Sequence, residues 1–189
     1  MLDQLIIDIC DHLKASVPEL KWIDQDFGQL ELFDDRPAVA FPCALIDFQS
    51  ANYSNLAELA QQGDLTVLVR LGFTPFSSSH AAAPLSVRKK ALEYYQIEQK
   101  VYIALQGWSP LTPLSPGEGS GGEAGEAYTH PFSRISATPE QRLSANNVQD
   151  ASGIRVRILA FTTTIEDYSA LKKYTKKTVQ LGIETEIQL

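Results

Sequence analysis

Residues 64–73 read DLTVLVRLGF. Leu65, Val67, Val69, Leu71 and Phe73 all fall on odd positions, and Thr66, Arg70 and Gly72 fall between them. That two-residue period is the signature of a strand with one face on a core and a wetter face opposite. Working outward, residues 38–48 (AVAFPCALIDF) form a second apolar run, in which Pro42 predicts an edge or a bulge. Leu30 and Leu32, alternating with Gln29 and Glu31, suggest a short strand before it. Two later strands are expected, Phe132–Thr138 and Gly153–Ile165. In the second, Ile154, Val156, Ile158 and Ala160 alternate with Arg155, Arg157, Leu159 and Phe161.

Helices flank these strands. Leu2, Leu5, Ile6, Ile9 and Leu13 recur at steps of three and four, with Asp3, Asp8 and Asp11 off the stripe. Pro18 ends that helix because its ring disfavours helical geometry at Val17. Pro84 and Ser86 open a second helix, expected from Val87 to about Gln106, with Ala91, Tyr94, Val101, Leu105 and Trp108 on its buried stripe. The order is helix, strands, helix, strands. It predicts one α+β domain over 1–189: a mixed, mainly antiparallel sheet with two main helices packed on one face.

Two segments fall outside this plan. Residues 109–127 (SPLTPLSPGEGSGGEAGEA) are rich in glycine and proline with almost nothing to bury, and read as a long flexible loop. Residues 166–189 read as an extended C-terminal arm. It opens on Lys172, Lys173, Lys176 and Lys177 and ends on Val179, Leu181, Ile183, Ile187 and Leu189.

The 189 residues are 44% hydrophobic and 21% charged, with a formal net charge of −7. An acidic surface does not wrap nucleic acid, which requires clustered cations. The two cysteines, Cys10 and Cys43, sit among apolar neighbours without a C-x-x-C spacing, so neither a zinc knuckle nor a redox pair is expected. The acidic N-terminal segment is unlike a signal peptide, and no apolar run reaches the length of a membrane span. These features predict a chain that stays in the reducing cytosol, with no membrane partner.

Motifs of chemistry lack their surroundings. Gly117, Gly119 and Gly122 spell G-x-G-x-x-G, but prolines precede them, no helix pattern follows, and Glu118, Glu123 and Glu126 would repel a phosphate. Asp26-Phe27-Gly28 matches the magnesium tripeptide of kinases without the other kinase motifs, and Gly28 reads better as a turn. Asp24, Asp26, Asp34 and Asp35 read as turn acids facing water, not as an oxygen cage for a metal. His12, His80 and His130 are far apart, and no serine occupies a nucleophile elbow. The sequon Asn52-Tyr53-Ser54 has no secretory route to serve it. No catalytic residue, metal ligand or cofactor is therefore expected. Arg70, Arg155 and Arg157 alternate with apolar residues, which places them on the sheet's less buried face as candidates to pair with a neighbouring subunit's carboxylates. The lysines at 172–177 read as a solvated face, or as a dock for an acidic partner surface or a phosphate backbone.

The order of elements resembles that of phage tail-terminator (tail-completion) and neck proteins. The segments carrying the resemblance are MLDQLIIDICDHL, PAVAFPCALIDF, GDLTVLVRLGF, the helix from PLSVRKKALEYY, and GIRVRILAFTTTIED. The resemblance implies an α+β subunit that forms a six-fold ring on the tail tube in the virion. Its partners would be other copies of itself, the tail-tube protein and the head–tail connector, and DNA would pass through without specific binding. A head–tail joining protein, or a small cytosolic hydrolase or nucleotide-binding enzyme, are the alternative readings.

The arm supplies a test. Its alternating apolar face must be buried, at about 1.5–3 kcal/mol per large side chain, and Gly182 inside a lysine-led stretch suggests a segment that reaches a neighbour. Deleting residues 178–189 is expected to leave a folded chain, by circular dichroism, that no longer supports infectious particles. Unfolding would place the arm in its own core; full complementation would remove its assembly role.

Overall fold

Strands β2 (Cys43–Ala57) and β3 (Ala60–Phe73) form a hairpin, and β3 pairs on its other edge with β6 (Arg155–Asp167), all antiparallel. This computed structural model describes residues 2–30, 39–74, 78–110, 127–139 and 154–167. Strand β1 (Trp22–Gln25) adds to β2 in parallel, and β4 (Ala127–Thr129) and β5 (Ser133–Pro139) both pair with the outer edge of β6. The result is a six-stranded mixed, mainly antiparallel sheet in the order β1-β2-β3-β6-β4, with β5 beside β4 on β6. Helices α1 (Leu2–Ser16), α2 (Leu85–Ala91) and α3 (Tyr94–Leu105) complete an α+β fold.

The odd-numbered face of β3 is the core face. Leu65, Val67, Val69, Leu71 and Phe73 are buried with Leu5, Ile9 and Leu13 of α1 and with Tyr94, Ile97, Val101 and Leu105 of α3. The two helices run antiparallel: His12 Nε2 lies 2.8 Å from the carbonyl of Ala104, and Glu19, just after α1, pairs with Lys100. Beyond α3, the His12 ring stacks on Trp108, which meets Phe132, which meets Phe161 of β6. Main-chain bonds from Gly107 N to Phe132 O and from Phe132 N to Trp108 O hold that aromatic chain in place.

The opposite face is smaller and not wet. Leu30, Cys43, Leu45 and Val156 are buried there, with Trp22, Val39, Phe41 and Ile154 packed around them. Burial pushes the thiols of Cys43 and Cys10 up to about 11, so both are small apolar groups at neutral pH.

Several boundaries differ from the sequence expectation. The second helix is two, because the chain turns at Leu92–Glu93, where the Leu92 N–H bonds to both Arg88 and Lys89 carbonyls. The first strand is Trp22–Gln25, and Gln29 and Leu30 lie in a turn. Pro42 precedes β2, after a cis Phe41–Pro42 bond, and β2 runs on to Ala57 because β3 pairs with it throughout. Ala127 belongs to β4, and Glu166 and Asp167 belong to β6. The rest of the glycine-rich loop (111–126) and of the C-terminal arm (168–189) lies outside the described residues.

Gly72 shows why the second face closes. A Cβ there would lie 2.6 Å from Cys43 Sγ, 3.0 Å from the Phe41 ring and 3.2 Å from Leu30. Strand propensity alone favours valine over glycine, yet Gly72→Val is expected to lose about 1–3 kcal/mol by overpacking. Urea denaturation checks it, and an unchanged or raised midpoint would mean that the cover yields easily.

Candidate functional site

The arginines singled out in the sequence converge on structure within the chain. Arg155 and Arg157 occupy odd positions of β6, as Leu159 and Phe161 do, so they project toward the helices and not onto the less buried face. Arg157 Nε donates to Glu98 Oε2 at 2.8 Å and its Nη2 donates to Glu98 Oε1 at 3.0 Å. This planar fork ties the middle of α3 to the sheet. The Glu98 carboxylate, through those bonds, pushes the arginine further above its ordinary value. Arg155 donates to the Tyr94 hydroxyl and lies 4.5 Å from the centre of its ring. Desolvation, then the hydrogen bond with Tyr95, push the Tyr94 phenol up, against the pull of Arg155.

Arg70 does lie on the other face, but it is 7% exposed and not a surface group. Its Nη1 donates to Asp26 Oδ2 at 2.7 Å, with both side chains 8% exposed. Asp26 is therefore an internal counter-ion and not a turn acid facing water. Its other oxygen accepts from Gly28 N at 2.9 Å, and Gly28 takes φ 83° as the sequence suggested for a turn. Gln29 completes the turn: its Oε1 accepts from Phe27 N and its Nε2 donates to the carbonyl of Gln25. Arg70 and Arg157 thus have carboxylate partners in their own chain, and Arg155 is held by a phenol. Lys172, Lys173, Lys176, Lys177, Val179, Leu181, Ile183, Ile187 and Leu189 lie outside the described residues, as do Asp34, Asp35 and the G-x-G-x-x-G glycines.

Sequence reading missed a cavity of about 410 Å³ at the end of the sheet, between the cis-proline turn and the start of α3. Phe41, Pro42, Phe73 and Ile97 give it apolar walls, and Glu19, Lys21, Lys90, Glu93 and Arg155 give it a charged margin of both signs. Its residues come from six separate stretches of chain, so no local motif announces it. No histidine or cysteine lines it, and among the described residues no three of His, Cys, Asp or Glu gather to hold a metal. His130 pairs with Glu166 at 3.1 Å near β4, away from the cavity.

The outer surface carries a different signal. At the far end of the β2–β3 hairpin, Tyr53, Leu56 and Leu59 are 48%, 46% and 43% exposed. The Tyr53 ring lies over Gly63, where a Cβ would approach it to 2.7 Å. All seven residues of β5 are exposed, including Ile135. No residue of α2 is buried, although it carries Leu85 and Val87. Three separate apolar features therefore face outward.

Neither a protein-family model nor a curated protein matches this chain.

The Arg70–Asp26 pair has a definite energetic signature. Asp26→Leu is expected to cost about 3–5 kcal/mol, because it removes the carboxylate paired with a buried guanidinium. The double variant R70M/D26L is expected to recover most of that loss. Chemical denaturation of the three proteins checks it; a single variant as stable as the parent would mean that water reaches Arg70.

Proposed function

We propose that this chain is a structural virion subunit of the tail-terminator kind, whose copies form a ring that caps the tail tube and presents a face to the head. The observation that carries the reading is the exposed end of the β2–β3 hairpin. Tyr53, Leu56 and Leu59 stand exposed at the end of the sheet, beside and on the β2–β3 turn, where an isolated monomer gains little from them. The fully exposed edge strand β5 adds a second place where a neighbouring chain can extend the sheet.

The internal chemistry favours the same reading. Arg70, Arg155 and Arg157 are spent on holding α3 and the 25–30 turn to the sheet. Such pairing makes a rigid block, which suits a subunit that must repeat the same contact around a ring. The net charge of −7 suits a passage through which DNA slides without adhering. The partners are other copies of the chain, the tail-tube protein and the head–tail connector, with assembly in the host cytoplasm and no catalytic step.

Particles assembled without this protein are expected to carry tails of uncontrolled length that do not join heads, as seen by electron microscopy. Tails of normal length left unjoined would move the protein to the head–tail joint. Normal tails already joined to DNA-filled heads would refute both placements.

A further inference from the structure

Helix α2 has seven residues and none is buried. Leu85 is 63% exposed, Val87 36%, Leu92 40% and Tyr95 50%, so four large apolar side chains cluster within eleven residues. Arg88, Lys89 and Lys90 stand among them, three successive cations in a chain of net charge −7. A short helix that buries nothing of its own gains little from packing. Its apolar and basic surface fits a partner that is apolar at its centre and acidic around it.

The chain carries such a surface elsewhere. On the outward side of α1, Ile7 is 51% exposed. Asp3 and Asp11 lie one helical turn to either side of it, and Asp8 lies next to it. The two surfaces sit at opposite ends of the helical layer. His12 lies against Ala104 and Glu19 pairs with Lys100, so the first turns of α1 lie toward the C-terminal end of α3. Helix α2 precedes the N-terminal end of α3. One molecule cannot bring the two together.

We infer that α2 of one copy docks on the outward face of α1 of the next, with Ile7 set against Leu85 and Leu92, which share a face of α2 with Lys89, and with Asp8 and Asp11 facing that lysine. The contact joins two different patches, so it is head-to-tail, and repetition closes a ring or extends a filament. Apolar burial supplies the attraction, and the opposed charges fix which patch meets which. This inference rests on the reading that copies of the chain assemble, and it names the surfaces.

Charge reversal tests it in the full chain, by sedimentation velocity across a concentration series with circular dichroism to confirm folding. K89E alone and D8K/D11K alone are each expected to weaken self-association by about tenfold or more, since like charges then face each other. Combining all three substitutions is expected to restore it, and added salt should narrow the differences. I7S, which removes the apolar centre and no charge, is expected to weaken association as well. Self-association untouched by the reversals, or not restored by the combination, overturns the inference while leaving ring assembly through other surfaces intact. A chain that stays monomeric throughout overturns this contact and removes the support for a self-assembling ring. Self-association that follows the charges, in a protein whose loss leaves tails normal, keeps the contact and removes the tail function.

Discussion

Strand β3 is hydrogen-bonded along both edges, to β2 over nearly its whole length and to β6 from Gln61 to Phe73. It also buries side chains on both faces over its second half, from Val69 to Phe73. A charge buried in such a strand is costly unless it is paired. The chain leaving β1 brings a counter-ion to Arg70. Asp26 sits there because its N–H continues the β1 ladder to the carbonyl of Ile46. The ion pair, the turn at Gly28 and the apolar cover of Leu30 over Gly72 are consequences of one strand being central.

The helix-side face obeys the same rule with different partners. At the Arg155 end of β6 the apolar pattern gives way to two arginines beneath the start of α3. Burying α3 there requires acceptors on the helix, and Glu98 and Tyr94 supply them at positions four residues apart. A bidentate arginine–carboxylate pair constrains rotation as well as distance. It explains why Glu98, a charged residue on an amphipathic helix, is found on the buried side.

Much of this was legible in the sequence, where alternation and helical spacing are strong. The α+β plan, β3 itself, α1 and the start of β6 follow from Leu65–Phe73, from the Leu2–Leu13 stripe and from Val156 and Ile158. What failed did so for physical reasons. Trp22–Gln25 is too short and too mixed to show a period, and it forms only because β2 offers a parallel edge. Residues 49–57 are polar, and their strand is imposed by β3. The turn at Leu92–Glu93 contains neither glycine nor proline. The face of Arg155 and Arg157 was misread because β6 is apolar on both sides, with Leu159 and Phe161 on the arginines' side and Val156 on the other. Alternation gives two faces and does not say which one the helices cover.

The distribution of charge follows from the same division between inside and outside. Arg70 and Arg157 are neutralised within the fold at Asp26 and Glu98 and add little to the outer field, whereas Arg155, held by the Tyr94 phenol, keeps its charge at the margin of the cavity. The exposed charge is sorted by position, acidic along α1 and basic along α2, at opposite ends of α3. A molecule with that polarity attracts the unlike end of another copy and repels its like end. Contact between unlike ends is the arrangement that a closed ring requires, and contact between like ends would stop at two copies. Internal pairing thus serves the outer surface too: Arg70 and Arg157, answered inside, do not compete with the cations that α2 presents.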